Sequence, residues 1–199
     1  MAAYRIIKTA ADTICKGGVL VFPTETVYGI GANALDRKAC EKVYRIKGRE
    51  RSKALIVLVS DMNMLDRIAF VPEKYRKILE DVWPAPLTVI LKARAAVPKR
   101  VTAGKGTVAV RMPDNATLLS IIRAAHVPIV APSANPSGLT PARTGFEAKR
   151  YFDGKVDAII DSGRKGCGVP STIMRIPSMR VIRQGAFTEK QIKKAFGSR

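Results

Sequence analysis

Apolar residues along the chain recur at two alternating periods. Residues 3–16 place Ile6, Ile7, Ala10, Ala11 and Ile14 on one helical stripe, and Gly17-Gly18 stops it. Val19-Leu20-Val21-Phe22 is then a short β-rich run, read as a buried strand that Pro23 ends because it has no amide donor. Asp36 predicts an N-cap for a helix over 37–46, with Ala39, Val43 and Ile46 on one face. Leu55-Ile56-Val57-Leu58-Val59 is continuously apolar, as in a strand buried on both faces. Ser60 or Asp61 opens a short helix, and Pro72 starts another over 73–82. Leu87–Leu91 is the third strand. A basic loop through Lys99, Arg100, Gly104 and Gly106 leads to a fourth at Thr107–Arg111. Asp114 predicts the cap of a helix over 115–125, and Pro128–Ala131 a fifth strand. Beyond it the pattern predicts a helix near 146–152, a strand at 156–160, a glycine-rich loop over 161–170 and a hairpin pairing 171–174 with 180–183. Thr188 caps a basic final helix.

This alternation predicts an α/β fold: one domain over residues 1–199, with a twisted, mixed, largely parallel sheet and flanking helices. The 199 residues are 47% hydrophobic, enough for a sizeable core, yet no apolar run approaches the roughly 20 residues of a membrane span. The first residues lack the layout of a secretory signal, and three widely spaced cysteines suit reduced thiols, so a cytoplasmic protein without membrane contact is expected. The one histidine, His126, falls at a helix tail and leaves little for a triad or a histidine metal site.

Charge changes the picture most. Thirty-five Lys and Arg against 16 Asp and Glu give a formal +19, which attracts polyanions: nucleic acid outside, or phosphates in a cleft. Polar residues gather where elements end, at Thr24–Tyr28, Lys47–Lys53, Arg111, Ser133–Asn135, Ser171 and Arg183. Ligands of open α/β sheets sit outside the carboxyl ends of strands, so these exits would pool in one basic cavity. Gly29 and Gly31 are read as letting backbone approach the ligand. Lys47-x-Arg49 sets a point charge and a planar fork two residues apart, suited to one phosphate chain; a solvated basic turn is the other reading. Ser133-Ala-Asn135 after a strand is read either as part of the site or as a helix-capping turn.

Together the blocks Phe22-Pro-Thr-Glu-Thr-Val-Tyr-Gly-Ile-Gly31, Lys47-x-Arg49, Leu55-Ile-Val57, Trp83-Pro-x-Pro-Leu-Thr88, Val108-Ala-Val-Arg-x-Pro113, Ala131-Pro-Ser-Ala-Asn135, Pro170-Ser-Thr-Ile173 and Arg183-x-Gly185 resemble the YrdC/TsaC family of threonylcarbamoyl-AMP synthases. The resemblance implies the family's fold around a deep positive cavity. It also implies a reaction in which L-threonine, bicarbonate and ATP, with Mg2+ on the nucleotide, yield threonylcarbamoyl-AMP and pyrophosphate. The product would pass to a downstream tRNA threonylcarbamoyl transferase complex. By motif position, Lys47, Arg49, Ser133 and Asn135 match the family's catalytic tetrad. Arg49, Lys53, Thr107, Ser133 and Arg183 would contact ATP. Thr26, Arg111, Ala131 (through backbone) and Ser171 would hold threonine, with Thr24 and Tyr28 as wall and no protein side chain as metal ligand. The sequence departs from the pattern at Glu50, Ala54 and Gln184, where the family has proline, and at Leu58, where it has histidine. It ends after one helix, without the C-terminal domain of longer members. The alternative reading is a noncatalytic module that uses the same basic cavity, or the basic outer face, to hold structured RNA or tRNA.

Overall fold

Five helix starts are set by a short polar side chain that satisfies orphan amides, α4 and α5 start at Pro72 and Pro98 without one, and each strand is set by what it pairs with. The structure, a computed structural model, describes residues 2–163 and 166–197; Arg164 and Lys165 of the predicted glycine-rich loop lie outside the described residues. The chain runs α1 (Ala2–Cys15), β1 (Leu20–Phe22), β2 (Gly29–Asn33), α2 (Arg37–Lys47), β3 (Ile56–Leu58), α3 (Met62–Ile68), β4 (Ala69–Phe70), α4 (Glu73–Val82) and β5 (Leu87–Ala93). It continues with α5 (Lys99–Thr102), β6 (Thr107–Arg111), α6 (Ala116–Ala125), β7 (Ile129–Val130), α7 (Gly145–Phe152), β8 (Ala158–Ile159), β9 (Thr172–Arg175), β10 (Arg180–Arg183) and α8 (Glu189–Phe196).

Asp36 caps α2 through the amides of Lys38 and Ala39, and Thr188 closes a capping box with Gln191 on α8, both as predicted. The cap of α6 is Asn115 rather than the expected Asp114: its side chain, one residue nearer the helix, accepts from the Leu118 amide.

Among the described residues the strands join one sheet in the order β10-β9-β5-β6-β3-β7-β2-β1-β8, with β4 on β5. The sheet is mixed, as predicted. Parallel ladders join β1–β8, β3–β6 and β5–β9, while β1–β2, β2–β7, β3–β7, β4–β5, β5–β6 and β9–β10 run antiparallel. Phe22, Ile30, Leu55, Leu58, Leu87 and Phe152 are fully buried among the strands and helices, and α1 packs on α6.

Two short elements, β4 and α5, and one long one, β2, were not legible in the pattern. Gly29-Ile-Gly-Ala-Asn33 carries little β propensity, but it is paired on both sides, Leu20 with Gly31 and Ala32 with Val130. Both glycines are required by the sheet, since a methyl group at Gly29 would meet the Phe22 ring and one at Gly31 the Val130 carbonyl and the same ring. Gly29 also borders the hollow of the candidate site. Gly31→Ala is expected to lower stability by about 1–3 kcal/mol, the usual cost of overpacking, in denaturant titrations with an unchanged m-value.

Candidate functional site

Seven chain segments converge on one hollow of about 140 Å³. Five carry its polar groups: the turn after β1 (Thr24, Thr26, Val27, Tyr28), the end of β6 (Arg111), the exit of β7 (Ala131, Ser133), the entry to β9 (Pro170, Ser171) and the end of β10 (Arg183). Ile56 of β3 and Pro141 complete the lining. Thr24 Oγ1 donates to the Val27 carbonyl at 2.7 Å and accepts from the Thr26 amide at 3.1 Å, which folds the turn over its own hydroxyls. Thr26 Oγ1 lies 2.8 Å from Thr24 Oγ1 and accepts from Arg111 Nη1 at 3.1 Å. The Arg111 guanidinium is buried, 3.5 Å from Glu25 Oε1, and its Nε has no hydrogen-bond partner among the described residues. Arg183 donates Nε and Nη2 to the Ser171 carbonyl at 3.2 and 2.8 Å, and Ser171 Oγ lies 2.8 Å from Thr88 Oγ1.

Burial pushes the pKa of both guanidiniums down; Glu25 opposes this at Arg111, and the charge of Arg111 adds to it at Arg183. Two cations lining one space favour an anion there, although Arg111 already shares its charge with the Glu25 carboxylate and Arg183 is partly exposed to solvent. The hollow is below the range of about 300–1,000 Å³ typical of larger ligands, so its enclosed part suits a molecule of amino-acid size.

Beside the hollow, Lys47 acts as a clamp. Its side chain is buried, and Nζ donates to the carbonyls of Ser133 and Asn135, both at 2.5 Å. Ser133 Oγ donates to Asn135 Oδ1 at 2.6 Å, and Asn135 Nδ2 donates to Pro136 and Leu139 carbonyls. The Ser137 amide returns to the Lys47 carbonyl, and the Ala134 amide donates to the Tyr28 carbonyl at 2.7 Å. Ser133-Ala-Asn135 is thus a braced turn that presents the Ser133 side to the hollow. Tyr28 both packs and lines: its ring is buried, and its hydroxyl donates to Gly163 and accepts from the Ser162 amide. Burial raises its pKa above 10.0.

The structure thus brings Thr24, Thr26, Tyr28, Arg111, Ala131, Ser133, Ser171 and Arg183 together, with Lys47 and Asn135 directly behind. Arg49, Lys53 and Thr107 do not line the hollow. Arg49 donates to the Lys53 and Ala54 carbonyls, and Lys53 is exposed on Glu50 at 2.8 Å. Thr107 starts β6 on the same face as Ala109 and Arg111, about 13 Å up the strand from Arg111. Ala109 registers with Ile56, which lines the hollow, so this face continues from the hollow toward Thr107 and the Arg49 turn.

A deep basic cavity, as expected from the resemblance, is not shown: among the described residues the lining is cationic through Arg111 and Arg183, while Lys47 and Arg49 spend their donors on carbonyls. Leu58, where the family has histidine, is fully buried in β3 and registers with Arg111. Thr88 and Glu25 were not assigned from sequence. Their signal was membership of the two motifs that also carry Trp83 and Thr24, but what each touches depends on the fold. No three His, Cys, Asp or Glu side chains come together as a metal-holding group among the described residues.

A mixed α/β sheet with an anion-seeking hollow at its strand exits defines the class. The chain belongs to the Sua5/YciO/YrdC family: the Sua5_yciO_yrdC family model, described as "Telomere recombination", matches residues 12–185. It is 40% identical over 197 residues to the threonylcarbamoyl-AMP synthase of Bacillus subtilis (strain 168), covering 96% of this chain and 56% of that protein. Its fold superposes on a crystal structure of P. abyssi Sua5 complexed with L-threonine at a TM-score of 0.92, with 38% identity and 96% and 57% of the two chains covered. It also superposes on E. coli YciO at 0.85, with 27% identity and 94% and 93% covered. The chain thus spans little more than half the length of the Bacillus and Pyrococcus proteins. The Bacillus relative's name is the synthase that the sequence resemblance implies, not a noncatalytic RNA-binding module.

Burial, and then the charge of Arg49, lowers the Lys47 pKa from 10.5 to about 7. Between those values the unfolded chain binds a proton that the folded chain does not, so Lys47 makes stability rise with pH across that window. Lys47→Met is expected to flatten the rise in unfolding free energy between pH 7 and 10, read by denaturant titration. An unchanged slope would show that the ammonium is not desolvated.

Proposed function

We propose that the chain synthesises threonylcarbamoyl-AMP from L-threonine, bicarbonate and ATP, releasing pyrophosphate. The observation that carries this reading is the buried Arg111 and the partly exposed Arg183 beside Thr26, Ser171 and Ser133 in one amino-acid-sized hollow. A family relative with L-threonine bound and a synthase relative support it. Residues 1–199 act in it as one YrdC-like domain.

Threonine's carboxylate meets Arg111, steadied by the Thr26 hydroxyl; the Ala131 backbone and Ser171 hold the rest of the amino acid, and Thr24 and Tyr28 form the wall. The threonine nitrogen bonds to the carbon of bicarbonate. Hydroxide departs from that carbon, and with the proton lost from nitrogen it leaves as water. A carbamate oxygen then attacks the α-phosphorus of ATP, the α–β bridging oxygen leaves with pyrophosphate, and the adenylate remains. No step needs a protein nucleophile; fixed cations and positioning do the work.

ATP lies along the β6 face, contacting Ser133 and Arg183 at the hollow and Thr107, Arg49 and Lys53 beyond it. Lys47 and Asn135 keep the Ser133 turn in place. Mg2+ bound to the nucleotide would supply further charge neutralisation, held by phosphates and water rather than by protein side chains. The reaction belongs in the cytoplasm, and its product goes to a tRNA threonylcarbamoyl transferase complex. Among the described residues, no helix is long and apolar enough to cross a membrane.

Pyrophosphate release measured with threonine, bicarbonate or ATP omitted in turn should require all three; release indifferent to threonine overturns the reading. Arg111→Lys exchanges a planar fork for a point charge and should raise the threonine KM on the order of 30-fold, about 2 kcal/mol, with the ATP KM changed less than about threefold.

A further inference from the structure

The proposed reaction leaves the buried Tyr44 hydroxyl, beside the Arg49 turn, without a role. Tyr44 lies one helical turn before the end of α2, and it grips the residues that follow from two sides. Its carbonyl accepts the Arg49 amide at 3.0 Å, just past the left-handed Gly48 that ends the helix. Its hydroxyl donates across the turn to the Lys53 carbonyl at 2.7 Å and lies 3.1 Å from the Arg100 carbonyl of α5. The Leu55 amide donates to the Val101 carbonyl at 2.9 Å, so residues 49–55 are tied to α2 at one end and to α5 at the other.

The ring that carries this hydroxyl is itself fixed. Glu41, a turn earlier on α2, accepts from Arg51 Nη2 at 2.9 Å and from Arg100 Nε at 2.6 Å, and Arg100 lies 5.4 Å over the Tyr44 ring. Burial raises the Tyr44 pKa, with the charges of Arg49 and Arg100 opposing it, so the hydroxyl keeps its proton at neutral pH.

The Lys53 carbonyl has a second donor. Arg49 Nε reaches it at 3.1 Å, while Arg49 Nη2 reaches the Ala54 carbonyl at 2.8 Å. A carbonyl oxygen has two lone pairs, so both donors fit. Binding a nucleotide treats them differently: Arg49 must give up its carbonyls to meet a phosphate, whereas Tyr44 can stay. With the tyrosine bond in place, the Lys53 carbonyl keeps a partner when the guanidinium leaves. Without it, that departure would strip the carbonyl of both donors, and the cost would hold Arg49 back.

We propose that Tyr44 is a positioning residue for the nucleotide: it holds the Lys53 carbonyl so that Arg49 is free to swing from its own turn to the ATP phosphates. This rests on the reading above that Arg49 contacts ATP.

The experiment is a double-mutant cycle on the full chain, with affinity for MgATP read by calorimetry and KM values by pyrophosphate release. Tyr44→Phe removes the hydroxyl and keeps the ring. It should weaken MgATP binding about fivefold, raise the ATP KM by a similar factor, and leave the threonine KM within about twofold of the parent. Arg49→Ala should weaken MgATP binding at least about tenfold, and adding Tyr44→Phe to it should cost nothing further. A loss that persists in the Arg49→Ala background overturns the proposal, because the tyrosine would then act by shaping the fold at large. Parent-like MgATP affinity in Tyr44→Phe overturns it, as does a threonine KM that rises in parallel with that for ATP. Parent-like affinity in Arg49→Ala overturns it as well, by removing its premise. Because calorimetry reads binding without turnover, the expected cycle in a parent that releases no pyrophosphate counts against the synthase reading and supports this one.

Discussion

The shape of the first hollow depends on a lysine ammonium that has no carboxylate partner among the described residues. Lys47 ends α2, and its Nζ lies under the carbonyls of Ser133 and Asn135. Two carbonyl dipoles do not fully replace water around a charge, which is why its pKa falls to about 7. What the burial achieves is rigidity: the turn after β7 is tied from below by Lys47, internally by Ser133–Asn135, and from the other side by Tyr28. A hydroxyl on a braced turn needs little reorganisation when charge develops near it.

The same logic governs the cations. Of the basic residues that sequence reasoning gathered into one cavity, Arg111 and Arg183 line the hollow; Arg111 is buried and Arg183 lies at the exposed strand β10, where the charge of Arg111 still helps lower its pKa. Arg49 is folded back onto the carbonyls of its own turn, and Lys53 onto Glu50. Glu50 stands where the family has proline; its contact with Lys53 supplies by ion pairing part of the loop restraint that a proline ring would supply covalently. Arg51 and Arg100 are held differently, both on the Glu41 carboxylate.

Family membership rests on ordered short motifs, and those motifs are what the first hollow is built from. Thr24 to Tyr28, Ser133 and Asn135, Ser171 and Arg183 each come from a different motif and meet through the sheet. The meeting requires β7 to return antiparallel between β2 and β3, so that Ser133 bridges to Gly29 and Ala131 donates its amide to Ile56.

Local chemistry in the chain was enough to determine the helices with their Asp36, Asp61 and Thr188 caps, the apolar strands at Val57, Val89 and Val108, and the residue types of an anion site. These depend on neighbours within a few positions, where period and capping act. The strand at Gly29–Asn33, the inward turn of Arg49, the contacts of Thr88 and Glu25, and the modest size of the hollow were decided by partners more than 80 positions away or by competition between donors for carbonyls. A side chain's charge is written in its residue type. Whether that charge faces a ligand or a neighbouring carbonyl depends on which backbone groups the fold leaves unpaired beside it.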